Sequence, residues 1–158
     1  NVYGTAYVYE INKIKFKAFL RCNQRLANGI TLGYEKFPKG IYEVMDLNFA
    51  NEIATLWSEK EQTCFEVSFR KIELMQYTGV NDKNGHEIYD GYIVKFESSI
   101  PIPEGPDYPK EGQIGVVKYG FCDYYVDAKP PCGFNLDELG DWIVIGNIYE
   151  NPEILKDK

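Results

Sequence analysis

The chain has 158 residues, a formal net charge of −7 and an aromatic content of 15%, including 13 tyrosines. A chain of this length buries roughly two thirds of its unfolded surface, so it needs no disulfide or metal to fold. The sequence has no run of about 18 uncharged apolar residues and no signal-peptide pattern, which predicts an intracellular protein without membrane spans.

Strict alternation of lysine and apolar residues predicts the first strand, over residues 13–19. Alternate residues of a strand lie on opposite faces, so one face is apolar and the other carries a lysine stripe. The apolar face consists of Ile14, Phe16 and Ala18, and the stripe consists of Lys13, Lys15 and Lys17. Asn28-Gly29 then predicts a turn, followed by a strand over residues 30–34.

Residues 46–61 fit two different structures. A helix would begin at Asp46 as its cap and bury one apolar face. That face would consist of Phe49, Ile53, Leu56 and Trp57. A hairpin would instead pair residues 53–57 with residues 63–69 across a turn at residues 58–61, and the alternation in its second arm favours this interpretation.

From Ile72 onward, five short apolar runs are separated by turns. They are Ile72 to Tyr77, Tyr92 to Phe96, Ile114 to Tyr119, Phe121 to Val126 and Trp142 to Tyr149. Five short strands in fewer than ninety residues predict an all-β fold with a small barrel. Residues 98–112 contain four prolines, and they are expected to form a loop because proline cannot donate to a sheet ladder.

Period-two patterning in these strands predicts one shared apolar core. It would consist of Leu74, Ile93, Val94, Phe96, Val116, Trp142, Val144 and Ile148. Gly79 and Gly85 each follow a polar turn former, and we expect both to occupy turn positions with positive φ.

Two stretches have a distinctive pattern, IELMQYTGVNDKNGHEIYDG at residues 72–91 and VIGNIYENPEIL at residues 144–155. Together with residues 15–19 they resemble the YopX-like family of bacteriophage and prophage proteins. The resemblance extends from about residue 13 to the end of the chain and is loose between residues 21 and 69. The signature residues are Met75, Gln76, Tyr77, Thr78, Gly79, Asp82, Gly85, Ile88, Tyr89, Gly91, Gly146, Asn147, Tyr149, Asn151 and Pro152.

The resemblance implies a core similar to an SH3-like barrel over residues 72–158. Residues 13–71 would form an N-terminal β region packed on it, and residues 1–12 precede the usual family start as an extension. The family is known mainly as phage proteins of unassigned activity, which implies the cytoplasm of a bacterial host. Its pattern usually has Asp after the glycine that corresponds to Gly91, whereas this chain has Tyr92, so no role that depends on that acid is expected.

Other candidate sites have simpler structural interpretations. The run from Asp82 to Gly85 fails as a calcium loop at both ends, and an Asn-Gly turn explains it. His86 is the single histidine, so neither a zinc site nor a catalytic triad is predicted. The acids Asp137, Glu138 and Asp141 fit one helical turn with an acidic outer face. We therefore predict no catalytic residue, no metal ligand and no cofactor.

The four cysteines, Cys22, Cys64, Cys122 and Cys132, are at least ten residues apart. This spacing matches neither CxxC metal ligands nor a dense disulfide framework. We predict reduced, partly buried thiols, because a disulfide between Cys122 and Cys132 would require an oxidising compartment.

Arg21 and Arg25 extend the lysine stripe, and these five cations are the candidate phosphate-contacting residues. The alternative is a solvated face whose lysines protect an edge strand from aggregation. Residues 1–71 hold ten Lys and Arg against eight Asp and Glu, whereas residues 72–158 hold seven against sixteen. The acidic second half repels phosphate backbones, which disfavours nucleic-acid binding.

The leading hypothesis is a non-catalytic interaction module that binds a phage or host protein, or a second copy of itself. The alternative is a nucleic-acid-binding accessory protein that uses the basic strand near residues 13–25. An enzyme ranks third, since small barrels host active sites without requiring them.

Overall fold

The computed structural model describes residues 13–25, 35–120, 122–128, 132–136 and 141–156, which are almost entirely strands, turns and loops. The strands are β1 (Phe16–Leu20), β2 (Gln24–Arg25), β3 (Glu35–Phe37), β4 (Gly40–Asn48), β5 (Ile53–Ser58), β6 (Thr63–Ser68), β7 (Ile72–Asn81), β8 (Glu87–Tyr89), β9 (Tyr92–Phe96), β10 (Ile114–Gly120), β11 (Asp123–Ala128), β12 (Cys132–Asn135) and β13 (Trp142–Asn147). Two short 3₁₀ helices span Phe69–Lys71 and Pro152–Leu155. The all-β class is confirmed. The predicted extension, the Asn28-Gly29 turn and the strand at residues 30–34 lie outside the described residues.

Two antiparallel sheets account for most of these strands. The first has the order β6-β5-β4-β1-β7-β8 and the second the order β12-β11-β10-β9-β13, while β2 and β3 form a separate pair. The strands described do not close into a barrel. The run that begins at Ile72 pairs with β1, from Leu20↔Ile72 to Phe16↔Gln76, so it belongs to the first sheet. The second sheet takes β12 as its fifth strand instead.

The predicted domain boundary between residues 71 and 72 stays a prediction. The boundary between the two sheets lies at a different place in the chain. β7 and β8 follow the predicted boundary but lie in the six-stranded sheet. The change of sheet occurs between β8 and β9, across the turn that contains Gly91.

The hairpin predicted within residues 53–69 is confirmed. β5 pairs with β6 in unbroken register from Ile53↔Ser68 to Ser58↔Thr63. The prediction of a loop at residues 98–112 is also correct, since the loop contains no strand. The edge-strand interpretation of the lysine stripe is wrong, because β1 lies between β4 and β7 in the middle of its sheet.

Each sheet has its own apolar core, so the prediction of one shared core is only partly correct. Val94, Phe96 and Trp142 lie together in the core of the five-stranded sheet, with Val144 packed against it. Leu74 instead packs on the core of the six-stranded sheet. The other predicted members follow different patterns. Ile93 is fully buried outside both of these cores, while Val116 and Ile148 are only partly buried.

The phase of β10 explains the error at Val116. Val117 is the fully buried residue of this strand, and Gly115 lies on the same face because alternate residues of a strand share a face. A Cβ atom at Gly115 would lie 2.4 Å from Cγ1 of Val126 and 2.8 Å from the carbonyl oxygen of Asp127. The inward position is therefore a glycine, and hydrophobicity alone points to the wrong face.

Cys22, Cys64 and Cys122 are free and exposed, so the prediction of partly buried thiols is wrong for these three. Cys122 precedes β11, whereas Cys132 pairs with Ala128 at the opposite end of that strand. At about 3.3 Å per residue these two positions are roughly 20 Å apart, too far for a disulfide. No helix in the described ranges is long and apolar enough to cross a membrane.

Candidate interaction surface

The turn between β7 and β8 is built on the carboxylate of Asp82. Its Oδ1 accepts hydrogen bonds from the backbone N–H groups of Asn84 at 2.9 Å and His86 at 2.8 Å. Its Oδ2 accepts one from the N–H of Val144 in β13 at 3.0 Å. Gly85 lies in this turn with φ +86°, as predicted. Asp82 therefore ties the turn to the second sheet, which gives this signature residue a structural role.

The second signature stretch forms a turn around Asn147. Its side-chain oxygen accepts hydrogen bonds from the N–H groups of Tyr149 at 3.0 Å and Glu150 at 2.9 Å. The Asn147 N–H donates to Oδ1 of Asn151 at 3.2 Å. A Cβ atom at Gly146 would lie 2.7 Å from that same oxygen, so the close approach of Asn151 requires glycine there.

Gly79 and Gly91 both adopt φ +86°. Gly79 lies inside β7, where the register with β8 is irregular between Tyr77 and Asn81. Its positive φ is confirmed, but the predicted turn position is wrong because the residue forms part of a bulge. Gly91 lies in the turn before β9, where its N–H donates to the carbonyl of Val117 at 2.9 Å.

Other signature residues hold β8 in place. Thr78 donates from Oγ1 to the carbonyl of Ile88 at 2.8 Å, and the Asp90 N–H donates to the carbonyl of Gln76 at 2.9 Å. Ile88 packs into the core of the five-stranded sheet. Met75 is fully buried on the other side of the six-stranded sheet from that sheet's own core. These residues are thus structural.

An aromatic cluster lies where the two sheets meet. It contains Phe19, Met75 and Tyr89, with Ile41, Tyr77, Tyr92 and Tyr149 packed against them. The ring centre of Tyr89 lies 5.5 Å from that of Tyr77 and 5.4 Å from that of Tyr92. Burial raises the pKa of Tyr92 to about 12 and raises the pKa of Tyr89 further above its ordinary value. Both phenols stay protonated at neutral pH, and Tyr92 packs against the cluster.

The lysines of the predicted stripe have acidic or aromatic neighbours. Nζ of Lys15 lies 2.7 Å from Oε2 of Glu87, and this hydrogen bond raises the pKa of Lys15 and lowers that of Glu87. Nζ of Lys17 lies 5.0 Å from the ring centre of Tyr89. Lys17 is also directly opposite Glu43 on β4, and residues opposite each other in adjacent strands share a face.

Arg21 is similarly engaged. Its Nε lies 3.6 Å from Oε1 of Glu73, and its guanidinium donates to the carbonyl of Ile72 at 3.0 Å. Lys13 is exposed, and the side chain of Arg25 lies outside the described residues. The structure therefore brings Lys15 and Lys17 together on a face where carboxylates balance their charge.

Toward β6, the same side of the sheet is open to solvent. In this outer region Lys17, Glu43, Trp57 and Cys64 are aligned across β1, β4, β5 and β6. We call the open part the outer face, which consists of Glu43, Thr55, Trp57, Cys64 and Glu66. Trp57 is half-buried, and its Nε1–H donates to Oε2 of Glu59 at 2.8 Å. No local pattern in the sequence predicts this surface, because only the strand register brings these residues together.

Two other regions offer little chemistry. Asp137 and Glu138 lie outside the described residues, and Asp141 accepts a hydrogen bond from the hydroxyl of Ser99 at 3.3 Å. Within the described ranges, no group of three or more His, Cys, Asp and Glu residues is placed to hold a metal ion. A groove of about 580 Å³ lies between the second sheet and the last 3₁₀ helix. Its charged lining residues form a salt bridge, in which Nζ of Lys118 lies 2.6 Å from Oδ2 of Asp127.

Comparison with known proteins places this architecture in context. Residues 33–156 match the family model described as YopX protein. The crystal structure of protein EF1440 from Enterococcus faecalis is similar, with a TM-score of 0.52 and 23% sequence identity over 92% of this chain and 100% of that chain. None of the curated proteins matches the sequence. The structural similarity supports the fold alone.

Proposed function

Since the chain belongs to the YopX protein family, we propose that it is a non-catalytic protein-interaction module that binds a phage or host protein in the cytoplasm of a bacterial host. The outer face is the binding surface. The observation that carries this proposal is the half-buried Trp57 at its centre, flanked by the exposed acids Glu43 and Glu66. A tryptophan surrounded by polar residues is typical of the energetic centre of a protein interface.

The charge distribution favours a protein partner over nucleic acid. A phosphate-binding strand needs cations that are free to replace the counterions of the backbone. Lys15 is bonded to Glu87, Arg21 is paired with Glu73, and Lys17 lies opposite Glu43. An approaching phosphate would meet these carboxylates as well, so the net attraction is small.

The proposal predicts that Trp57→Ala weakens partner binding by about thirtyfold, the effect of losing an interface anchor worth about 2 kcal/mol. The measurement is quantitative capture of bacterial proteins by the 158-residue chain, with the affinity for the main captured protein then determined by calorimetry. Tyr119→Ala is the matched control, because Tyr119 is an exposed aromatic residue of the other sheet. Equal affinity of both variants, each with a wild-type melting temperature, would contradict the proposal.

A second prediction concerns salt. We expect only weak binding of double-stranded DNA, lost by about 0.2 M salt, because Lys15 and Arg21 of the basic strand are paired with carboxylates and the acidic half repels phosphate. Fluorescence anisotropy across a salt series measures this, with a variant in which Lys13, Lys15 and Lys17 are all replaced by serine. Sub-micromolar binding at physiological salt that the triple replacement abolishes would instead establish the nucleic-acid hypothesis.

A further inference from the structure

We infer that β6 is a docking edge for an extended partner segment in which apolar residues alternate with lysine or arginine. This segment adds to the six-stranded sheet as a new strand beside β6. The inference rests on the proposed function and specifies both the chemistry of the partner and its mode of binding.

β6 is the most accessible sheet edge among the described strands. It pairs with β5 on one side and ends the six-stranded sheet on the other. Its six residues keep an unbroken register with β5. They include no proline and no lysine, two residues that natural edge strands use to prevent pairing.

The other edges are shorter or already covered. β8 has three residues and β12 has four. The edge of β13 is hydrogen-bonded to the turn between β7 and β8. The Trp142 carbonyl accepts from the N–H of Lys83 at 2.9 Å, and the Val144 N–H donates to the carboxylate of Asp82. A strand-adding partner therefore has its longest regular template at β6.

Backbone geometry identifies the groups that a new strand would use. The Phe69 N–H donates to the Glu52 carbonyl at 2.9 Å, so the backbone groups of Phe69 point toward β5. In an antiparallel pair this direction alternates along the strand. The N–H and C=O groups of Cys64 and Glu66 therefore point away from β5. The Cys64 carbonyl accepts a long 3.4 Å bond from the Thr63 hydroxyl, which a better-placed donor can replace.

Side chains on the two faces of β6 indicate which residue types should alternate in the partner segment. Cys64 and Glu66 lie on the outer face and are exposed, with Trp57 and Glu43 beyond Cys64. A lysine or arginine of the added strand would lie beside Glu66, and its long side chain would extend across Cys64 toward the indole ring of Trp57. On the opposite face, Phe65 and Val67 belong to the apolar core. An apolar residue of the partner would extend that core.

The test uses the 158-residue chain and a synthetic ten-residue peptide that alternates valine and lysine. The peptide carries one cysteine activated as a disulfide with 2-thiopyridine, which leaves when a protein thiolate attacks the peptide sulfur. Mass spectrometry of the resulting mixed disulfides locates the peptide. Cys22 and Cys122 are matched controls, because they are free and exposed like Cys64, and Cys122 also lies beside Asp123 in the acidic half. We expect at least fivefold preference for Cys64, which a peptide with alternate N-methylated amides should lose because it lacks the strand-forming donors.

Glu66→Lys provides the second arm. It should lower labelling of Cys64 by the lysine peptide at least threefold and raise labelling by a valine–glutamate peptide by a similar factor, since opposite charges beside each other favour pairing. Equal labelling of the three cysteines, or labelling insensitive to N-methylation and to Glu66→Lys, would overturn the inference. A Cys64-linked dimer formed without peptide would also overturn it, in favour of a second copy as the occupant. Persistent Trp57-dependent capture alongside a negative peptide result would refute the docking edge and leave the proposed function standing.

Discussion

Trp142→Ala is expected to lower the free energy of unfolding by about 3 to 5 kcal/mol, the range for removing a large buried aromatic side chain. Trp142 is 2% exposed. Its ring packs edge-on against the ring of Phe96, with the two ring centres 5.1 Å apart, and its ring centre lies 6.3 Å from that of Phe134. Alanine would leave a cavity between β13, β9 and β12 that these rings cannot fill.

Urea unfolding measures this change when it is followed by far-ultraviolet circular dichroism, which reports backbone structure and not the tryptophan side chain. Ile100→Ala is the control, since Ile100 is 68% exposed in the proline loop and its truncation should change stability by no more than about 0.5 kcal/mol. An unfolding curve for Trp142→Ala that coincides with the wild-type curve would show that Trp142 does not contribute to the core.

Asp82→Ala is expected to destabilise the protein by about 3 kcal/mol. The substitution leaves the N–H groups of Asn84, His86 and Val144 without their acceptor. These hydrogen bonds are only partly buried, so each loss should cost about 1 kcal/mol, the low end of the range for an unsatisfied donor. Asp82→Asn is the matched variant, because its amide oxygen still accepts while its charge is lost. In chemical denaturation the free energy of unfolding should decrease from wild type to Asp82→Asn and again to Asp82→Ala. Equal stability of the two variants would contradict the hydrogen-bond explanation.

The same carboxylate predicts a pH dependence. Burial alone would raise the pKa of Asp82, but hydrogen bonds from Val144, His86 and Asn84 outweigh burial and hold that pKa below the ordinary value of 3.8. A depressed folded-state pKa adds stability that is present above the unfolded pKa and is lost as pH falls through the folded pKa. We therefore expect the stability difference between wild type and Asp82→Asn to shrink below about pH 4. A constant difference down to pH 2 would contradict this.

The sequence alone determined the structural features that depend on residues adjacent to each other along the chain. The alternation of residues 63–68 and the polar turn before them are local patterns, and they correctly predicted a hairpin over a helix. The prolines correctly predicted the loop at residues 98–112, because each lacks an N–H wherever it lies. Gly79 and Gly85 were correctly assigned positive φ, since conformational freedom at glycine is a property of the residue itself. The signature stretches likewise identified the family.

Tertiary structure decided which strands are neighbours, and the candidate surface depends on that choice. β7 was predicted to belong to the barrel, but its register with β1 places it in the other sheet. The lysine stripe was predicted to lie on a solvated edge strand or, alternatively, to contact phosphate. β1 is not an edge strand, and two acids distant in sequence lie near the stripe, Glu87 beside Lys15 and Glu43 opposite Lys17. Trp57 and Glu66 share a surface because β5 and β6 lie beside β4. Alternation specifies which residues share a face within one strand, whereas the identity and register of the partner strands depend on the packing of the whole chain.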